Sequence, residues 1–187
     1  MTLVSTSWLS QNLKTVKIID ASWHLVKNRN AQEEYNNEHI ENAIFFNLDK
    51  SSNQKKHLPH GHFLPSNNHH KKIISNMGIL NTDRVIIYCN SDLISSCRAW
   101  FQFLYFGHDP KLVSVLNGGM KKWKLENRKI TNSKTKIIPS KYKAKENNNM
   151  IKLKSQIEEN IKKKEFTVLD ARSKNRFLGL EPEPRQG

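Results

Sequence analysis

Short apolar runs alternate with helix-like periodic stretches along the first two thirds of the chain. Val16-Lys17-Ile18-Ile19 predicts a strand ending at Asp20, and Ala43–Phe46 a second. Val85-Ile86-Ile87-Tyr88 predicts a third, with no polar position, as in a strand buried on both faces. Leu112–Leu116 predicts a fourth. Between them, Ser66–Met77 reads as a helix with Gly78 at its C-cap position. The clearest helix is Ser95–Phe106, with Ser95 or Ser96 as N-cap and Gly107 as its end. Cys97, Trp100, Phe101, Phe103, Leu104, Tyr105 and Phe106 make it apolar on nearly every side, so burial is expected, with Cys97 as a core residue. Strands alternating with helices predict an α/β fold: a parallel sheet flanked by helices on both faces.

From Arg128 to Met150 the periodicity gives way to Lys, Asn, Ser and Thr with Pro139, which reads as a linker. Order returns with a helix near Leu153–Lys163 and a strand at Phe166–Leu169, followed by Asp170-Ala171-Arg172. Ile18-Ile19-Asp20-Ala21 and Val168-Leu169-Asp170-Ala171 match, which suggests an internal repeat. The expected organisation is a domain at 1–127, a basic linker at 128–150, and the incomplete beginning of a second copy at 151–187.

Charge changes this picture little. The chain of 187 residues carries 31 Lys and Arg against 17 Asp and Glu, a net charge of +14. Residues 1–127 hold 15 basic and 10 acidic residues, and residues 128–187 hold 16 and 7, so most of the surplus lies in the Lys-Asn-rich part. Single-strand binders interleave aromatics with basic residues, whereas Tyr142 is the one aromatic between Arg128 and Lys164. A solvated basic surface is expected, not a nucleic-acid partner. No apolar run approaches the ~18 residues of a membrane span. The start, Met1–Trp8, has no basic region followed by an apolar one, so the expected compartment is the cytoplasm. Two cysteines, Cys89 and Cys97, make no disulfide framework.

Several segments resemble the rhodanese family. Tyr35-Asn-Asn-Glu-His39-Ile40-Glu41-Asn42-Ala43 looks like its signature, in which an aromatic precedes His-Ile-Pro-Gly-Ala by four residues, with Glu41-Asn42 in place of Pro-Gly. Leu116-Asn117-Gly118-Gly119-Met120-Lys121-Lys122-Trp123 resembles its strand–Gly-Gly–helix–Trp element. Asp20-Ala21-Ser22-Trp23-His24 and Phe106-Gly107-His108-Asp109 are similar to stretches in the first domain of tandem-domain thiosulfate and 3-mercaptopyruvate sulfurtransferases. Leu169-Asp170-Ala171-Arg172, running on to Glu181-Pro182-Glu183-Pro184-Arg185, is similar to the opening of that family's second, catalytic domain. The resemblance implies sulfane-sulfur transfer from a small anionic donor to a thiol or cyanide, through a cysteine persulfide and without a cofactor. It implies that Arg176 and Arg185 bind the donor's anionic group, a task suited to a forked, permanently charged guanidinium. It also implies that the usual nucleophile lies beyond residue 187, so weak or absent activity is expected of this chain. The alternative is a non-catalytic binding or regulatory module. Neither reading specifies an oligomeric state.

Cys89 is the candidate nucleophile within the chain. It follows the apolar strand and opens the loop Cys89-Asn90-Ser91-Asp92-Leu93-Ile94-Ser95, where open α/β sheets place their ligands. The loop carries no Lys or Arg, and Asp92 repels both a thiolate and an anionic donor. Cys89 is therefore expected to be inert. A phosphatase loop needs Cys-x5-Arg, but Ser95 stands six residues after Cys89 and the first arginine is Arg98. His57, His60 and His62, with His69 and His70 nearby, are interrupted by Pro59 and Gly61 and have no completing ligands, so a structural loop is expected and no metal.

Overall fold

The computed structural model of the chain describes residues 2–26, 28–53 and 62–182. It divides into two units, Met1–Asn148 and Asn149–Gly187.

The first unit is built on a five-stranded, all-parallel sheet. Its strands are β1 (Leu3–Val4), β2 (Lys17–Asp20), β4 (Ala43–Phe45), β5 (Val85–Tyr88) and β6 (Val113–Leu116), in the order β1-β6-β5-β2-β4. A two-residue strand β3 (His39–Ile40) pairs antiparallel with β7 (Ile130–Thr131). Helices α1 (Thr6–Asn12), α2 (Ala31–Asn37), α3 (Asn67–Asn76), α4 (Ser96–Tyr105) and α5 (Gly119–Leu125) fill the crossovers. Their starts follow local chemistry. Ser5 accepts from the Trp8 amide, Asn30 from the Gln32 and Glu33 amides, and Ser66 from the His69 amide.

The strands send alternate side chains to opposite faces, so each apolar run feeds two cores. Ile19, Val85, Ile87 and Val113 pack with Ile74 of α3 and with Ala99 and Phe103 of α4. Ile18, Ile86, Tyr88 and Leu116 pack on the other side with Leu9 of α1 and with Met120 and Trp123 of α5. Each fully buried aliphatic or aromatic side chain contributes about 1.5–3 kcal/mol.

Three expectations are corrected. Cys97 is exposed, not core. Helix α4 turns Ala99, Gln102 and Phe103 inward, and position 97 falls outside that arc. Residues 128–148 are not a free linker, because the compact unit runs to Asn148. This stretch is a strap laid along the domain. The Ser140 amide donates to the Ser75 carbonyl at 2.8 Å, Asn81 exchanges two hydrogen bonds with the Lys143 backbone, and the Lys145 and Asn147 amides donate to the carbonyls of Phe106 and Tyr105. Tyr142 is fully buried against His70, Phe103 and His108, while Lys141, Lys143 and Lys145 point to solvent. The strap is polar because only one side chain in several is needed inside, and its main-chain bonds are blind to composition.

The third correction concerns the second unit, which has α6 (Lys154–Lys163) and a short α7 (Lys174–Phe177) capped by Ser173. The strand expected at Phe166–Leu169 does not form; Val168 and Leu169 are exposed. A strand needs a neighbour to satisfy its backbone groups, and the described residues of this unit supply none. The side chain of Asn160 instead brackets Phe166, bonding its carbonyl at 2.8 Å and its amide at 3.0 Å.

Candidate functional site

The carboxyl ends of β2 and β5 carry the side chains that shape the site. Asp20 closes β2 and is buried, and burial holds its carboxyl above the usual range even though Ser22 donates to it from both amide (2.9 Å) and hydroxyl (2.5 Å). The Ser22 hydroxyl accepts the Asn90 amide at 2.8 Å, so Asp20 anchors the loop after β5 through one intermediary. Ser91 accepts the Trp23 amide at 2.8 Å and meets Ser95 at 2.9 Å, and Ser95 donates to the Ala21 carbonyl. Ser95 precedes α4 but spends its hydroxyl on β2's extension and makes no side-chain cap. Four polar side chains therefore hold residues 89–95 against the end of β2.

A second clamp reaches the same loop from α2. Arg29 forks onto Glu34 with two bonds of 2.7 Å and donates to the Asn90 carbonyl at 3.0 Å. Glu34 also accepts from the Asn90 side chain and contacts His24, and its bond to Arg29 lowers its carboxyl below the usual range. Asp92 lies 3.6 Å from Arg29. The Arg29–Glu34–Asn90–His24 network was missed by sequence reasoning. Its one local signal is the five-residue spacing of Arg29 and Glu34 across the start of α2.

Cys89 lines a cleft between this loop and α5, with a volume of about 590 Å³. Gly119 faces the Cys89 carbonyl so closely that a Cβ there would sit 2.6 Å from it, and both Gly118 (φ 83°) and Gly119 (φ 54°) take left-handed conformations. The Met120 amide donates to the same carbonyl. The Cys89 thiol donates to the Ser96 hydroxyl at 3.4 Å. Of the loop amides, Asn90 is engaged by Ser22, Ser95 by the Leu93 carbonyl and Cys97 by the Ile94 carbonyl. A stable persulfide anion needs such amides converging on sulfur. Here three of the amides near Cys89 bond to other partners.

The other candidates are dispersed. Arg176 lies on α7 in the second unit, near enough to Asp170 to help hold that carboxyl below its usual range, though Arg172 is the larger cause. Arg185, His57 and His60 lie outside the described residues. Arg98 donates to the His62 carbonyl, away from the Cys89 cleft. His62 contacts Asp49 and Trp23, His69 contacts the Lys50 carbonyl, and His70 is in the core. Among the described residues no three His, Cys, Asp or Glu side chains gather as metal ligands, and no helix is long and apolar enough to cross a membrane. Asn42, which stands where the signature has glycine, has a left-handed backbone at φ 67°, a conformation asparagine tolerates.

Comparison with known proteins agrees with this architecture: residues 5–126 match the Rhodanese-like domain. The chain belongs to the rhodanese family. It is 35% identical to thiosulfate sulfurtransferase of Rattus norvegicus over 190 residues, covering 97% of this chain and 63% of the relative. It is 37% identical to 3-mercaptopyruvate sulfurtransferase of the same species over 194 residues, covering 99% and 64%. The chain thus spans slightly less than two thirds of the length of these relatives. Among solved structures it resembles SseA from Escherichia coli, a 3-mercaptopyruvate sulfotransferase of rhodanese fold. The TM-score is 0.85 at 26% identity, over 95% of this chain and 68% of that one. This rhodanese-family chain therefore has the parallel sheet that its sequence pattern anticipated.

Proposed function

We propose that this chain serves sulfane-sulfur transfer, moving sulfur from thiosulfate or 3-mercaptopyruvate to a thiol or cyanide through a cysteine persulfide. The observation that carries the reading is the similarity to both sulfurtransferases over 97–99% of the chain, a span that takes in the run from Asp170 onward. In this reading residues 151–187 begin a second rhodanese copy, and Arg176 and Arg185 receive the donor's carboxylate or sulfonate-like oxygens. Their guanidinium groups stay charged at every working pH and fork onto such an anion.

The rhodanese-like domain plays the non-catalytic part. Sulfur transfer requires a cysteine, and the chain has two. Cys97 is exposed, and its thiol is pushed up first by burial of its sulfur and then by Cys89. Near Cys89 the amides of Asn90, Ser95 and Cys97 are engaged by Ser22, Leu93 and Ile94. The purified 187-residue polypeptide is expected to form thiocyanate from thiosulfate, and pyruvate from mercaptopyruvate, at rates near the uncatalysed background. Robust turnover abolished by Cys89→Ser would reverse the assignment of the nucleophile. Joining the chain to the carboxyl-terminal third of the rat 3-mercaptopyruvate enzyme should yield turnover, with Arg176→Ala raising KM more than it lowers kcat. A folded but inactive fusion would defeat the sulfur-transfer reading.

A further inference from the structure

At the opposite end of β2 from Asp20, a cavity of about 290 Å³ opens where β2 and β4 begin. Lys14 and Lys17, from the turn between α1 and β2, meet Lys136 of the strap on its lining. The strap is seated here. The Thr135 hydroxyl donates to the Ala43 carbonyl at 2.7 Å, and the Ile138 carbonyl lies 2.5 Å from where a Cβ on Gly78 would stand. The backbone on both sides of Lys136 is therefore held, and its charge is brought to two lysines about 120 residues earlier in the chain. No Asp or Glu lines this cavity. Elsewhere in the same unit lysines find carboxylates: Lys122 pairs with Glu126, Lys124 with Glu38 and Lys129 with Glu41. Lys14, Lys17 and Lys136 make no ion pair among the described residues. The negative poles that face them are the carboxyl-terminal ends of α1, at Leu13, and of α3, at Met77, and neither helix has a basic residue in its last turn. Each helix end amounts to at most about half a negative charge, so the three lysines keep a surplus of about two positive charges.

Like charges gathered around one concavity repel one another until a ligand answers them. A single carboxylate answers one lysine and leaves the others unmatched. A compact anion with two or more charges matches the surplus. Lysine suits such an anion, because its ammonium is a point charge with three rotatable donors and does not require the flat, forked geometry that arginine gives a carboxylate. The base of the cavity is apolar, with Ile44 and Met77 both buried, so recognition falls to the charged rim. We propose that this cavity binds a diphosphate group, either as inorganic pyrophosphate or as part of a nucleoside diphosphate, with Lys14, Lys17 and Lys136 as its cations. At about 290 Å³ the cavity lies at the small end of the ~300–1,000 Å³ range of ligand sites, so it takes the diphosphate and leaves an attached nucleoside outside. A bound diphosphate bridges the strap to the start of β2 and holds the two together. This site uses neither Cys89 nor the second unit.

The test titrates the 187-residue chain with sodium pyrophosphate in a calorimeter at constant ionic strength. Saturable one-to-one binding is expected, with sulfate weaker. Lys14→Gln, Lys17→Gln and Lys136→Gln should each weaken it by about three- to fivefold, the worth of one exposed ion pair, while Lys141→Gln stays within about twofold of wild type. Lys141 is the control because it is an exposed lysine of the same strap that lies off the lining, so its variant makes the same change in net charge. Lys14 and Lys136 are exposed and Lys17 is half-buried, so the variants should keep the wild-type circular dichroism. Amide hydrogen exchange at residues 13–17 and 135–138 should slow when pyrophosphate is bound. Adenosine diphosphate is the second arm: binding comparable to pyrophosphate assigns the site to nucleotides, binding of pyrophosphate alone assigns it to the free anion, and either supports the proposal. No saturable binding, sulfate bound as tightly as pyrophosphate, or equal weakening by Lys141→Gln would each overturn it. Sulfur-transfer activity enters none of these readouts, so the proposed function and this site succeed or fail separately.

Discussion

Lowering the pH from neutral should destabilise the domain through His70, and the structure sets the size of the effect. The ring is fully buried, stacked on Phe106 with centroids 4.1 Å apart and edged by Phe103 and Tyr142 at 5.9 Å each. Neither ring nitrogen has a hydrogen-bond partner among the described residues. Burial, with smaller contributions from His69 and His108, lowers its pKa from 6.5 to about 3. The folded chain therefore keeps His70 neutral while the unfolded chain protonates it near 6.5. Stability is complete above that value and is lost as the pH falls from 6.5 toward 3. At about pH 5, some 1.5 pH units below the unfolded value, the unfolded state has bound a proton that the folded state lacks, which costs about 2 kcal/mol. Urea denaturation followed by tryptophan fluorescence at about pH 7 and pH 5 measures this directly. His108, also held neutral mainly by burial, adds loss in the same direction, so the informative quantity is the difference from His70→Leu. The wild type should lose roughly 2 kcal/mol more than that variant between the two pH values. Parallel losses in the two proteins would refute the reasoning, since the aromatic cage would then not be excluding the proton.

Other outcomes follow from single contacts. Gly119→Ala should cost about 1–3 kcal/mol by urea denaturation, because its left-handed backbone and the Cys89 carbonyl 2.6 Å from the new Cβ both oppose a side chain; an unchanged midpoint would show that the Gly-Gly turn can shift. Tyr142→Ala should cost about 3 kcal/mol or more and expose the strap to proteolysis near Lys141 and Lys143, since it empties a fully buried ring position; wild-type resistance would mean that the strap's backbone bonds suffice. Asp20→Asn keeps an acceptor for Ser22 and removes a buried charge. The raised carboxyl of Asp20 makes the wild type lose stability as the pH rises from 3.8 through its folded pKa, so the variant should gain relative to wild type at neutral pH and not at pH 3.8. Equal behaviour at both would mean that burial does not disfavour the ionised carboxylate of Asp20.

The order of strands and helices was legible from the chain because burial imposes a pattern on residue types. Val85–Tyr88 is apolar throughout since both of its faces are covered, and Ser66, Gly78 and Gly107 mark helix ends through local backbone chemistry that needs no distant partner. The paired glycines at 118 and 119 were noticed through the family resemblance, whereas the left-handed backbone at Asn42 came only with the structure. Contacts that join remote segments were not. Cys89 was judged by a loop without cations, yet folding brings Arg29, Lys121 and Lys124 to its cleft from elements that lie 60 residues before it and about 30 after it. The strap at 128–148 read as a linker because main-chain hydrogen bonds leave no mark on composition, and Tyr142 alone betrays its docking. Cys97 read as core because an apolar helix does not announce which narrow arc will face solvent. Val168 and Leu169 carry the pattern of a strand, but a strand exists only where a neighbouring strand accepts its amides and carbonyls. Local propensity and periodicity are properties of the sequence itself, whereas charge neighbourhoods and pairing partners are set only when distant residues meet.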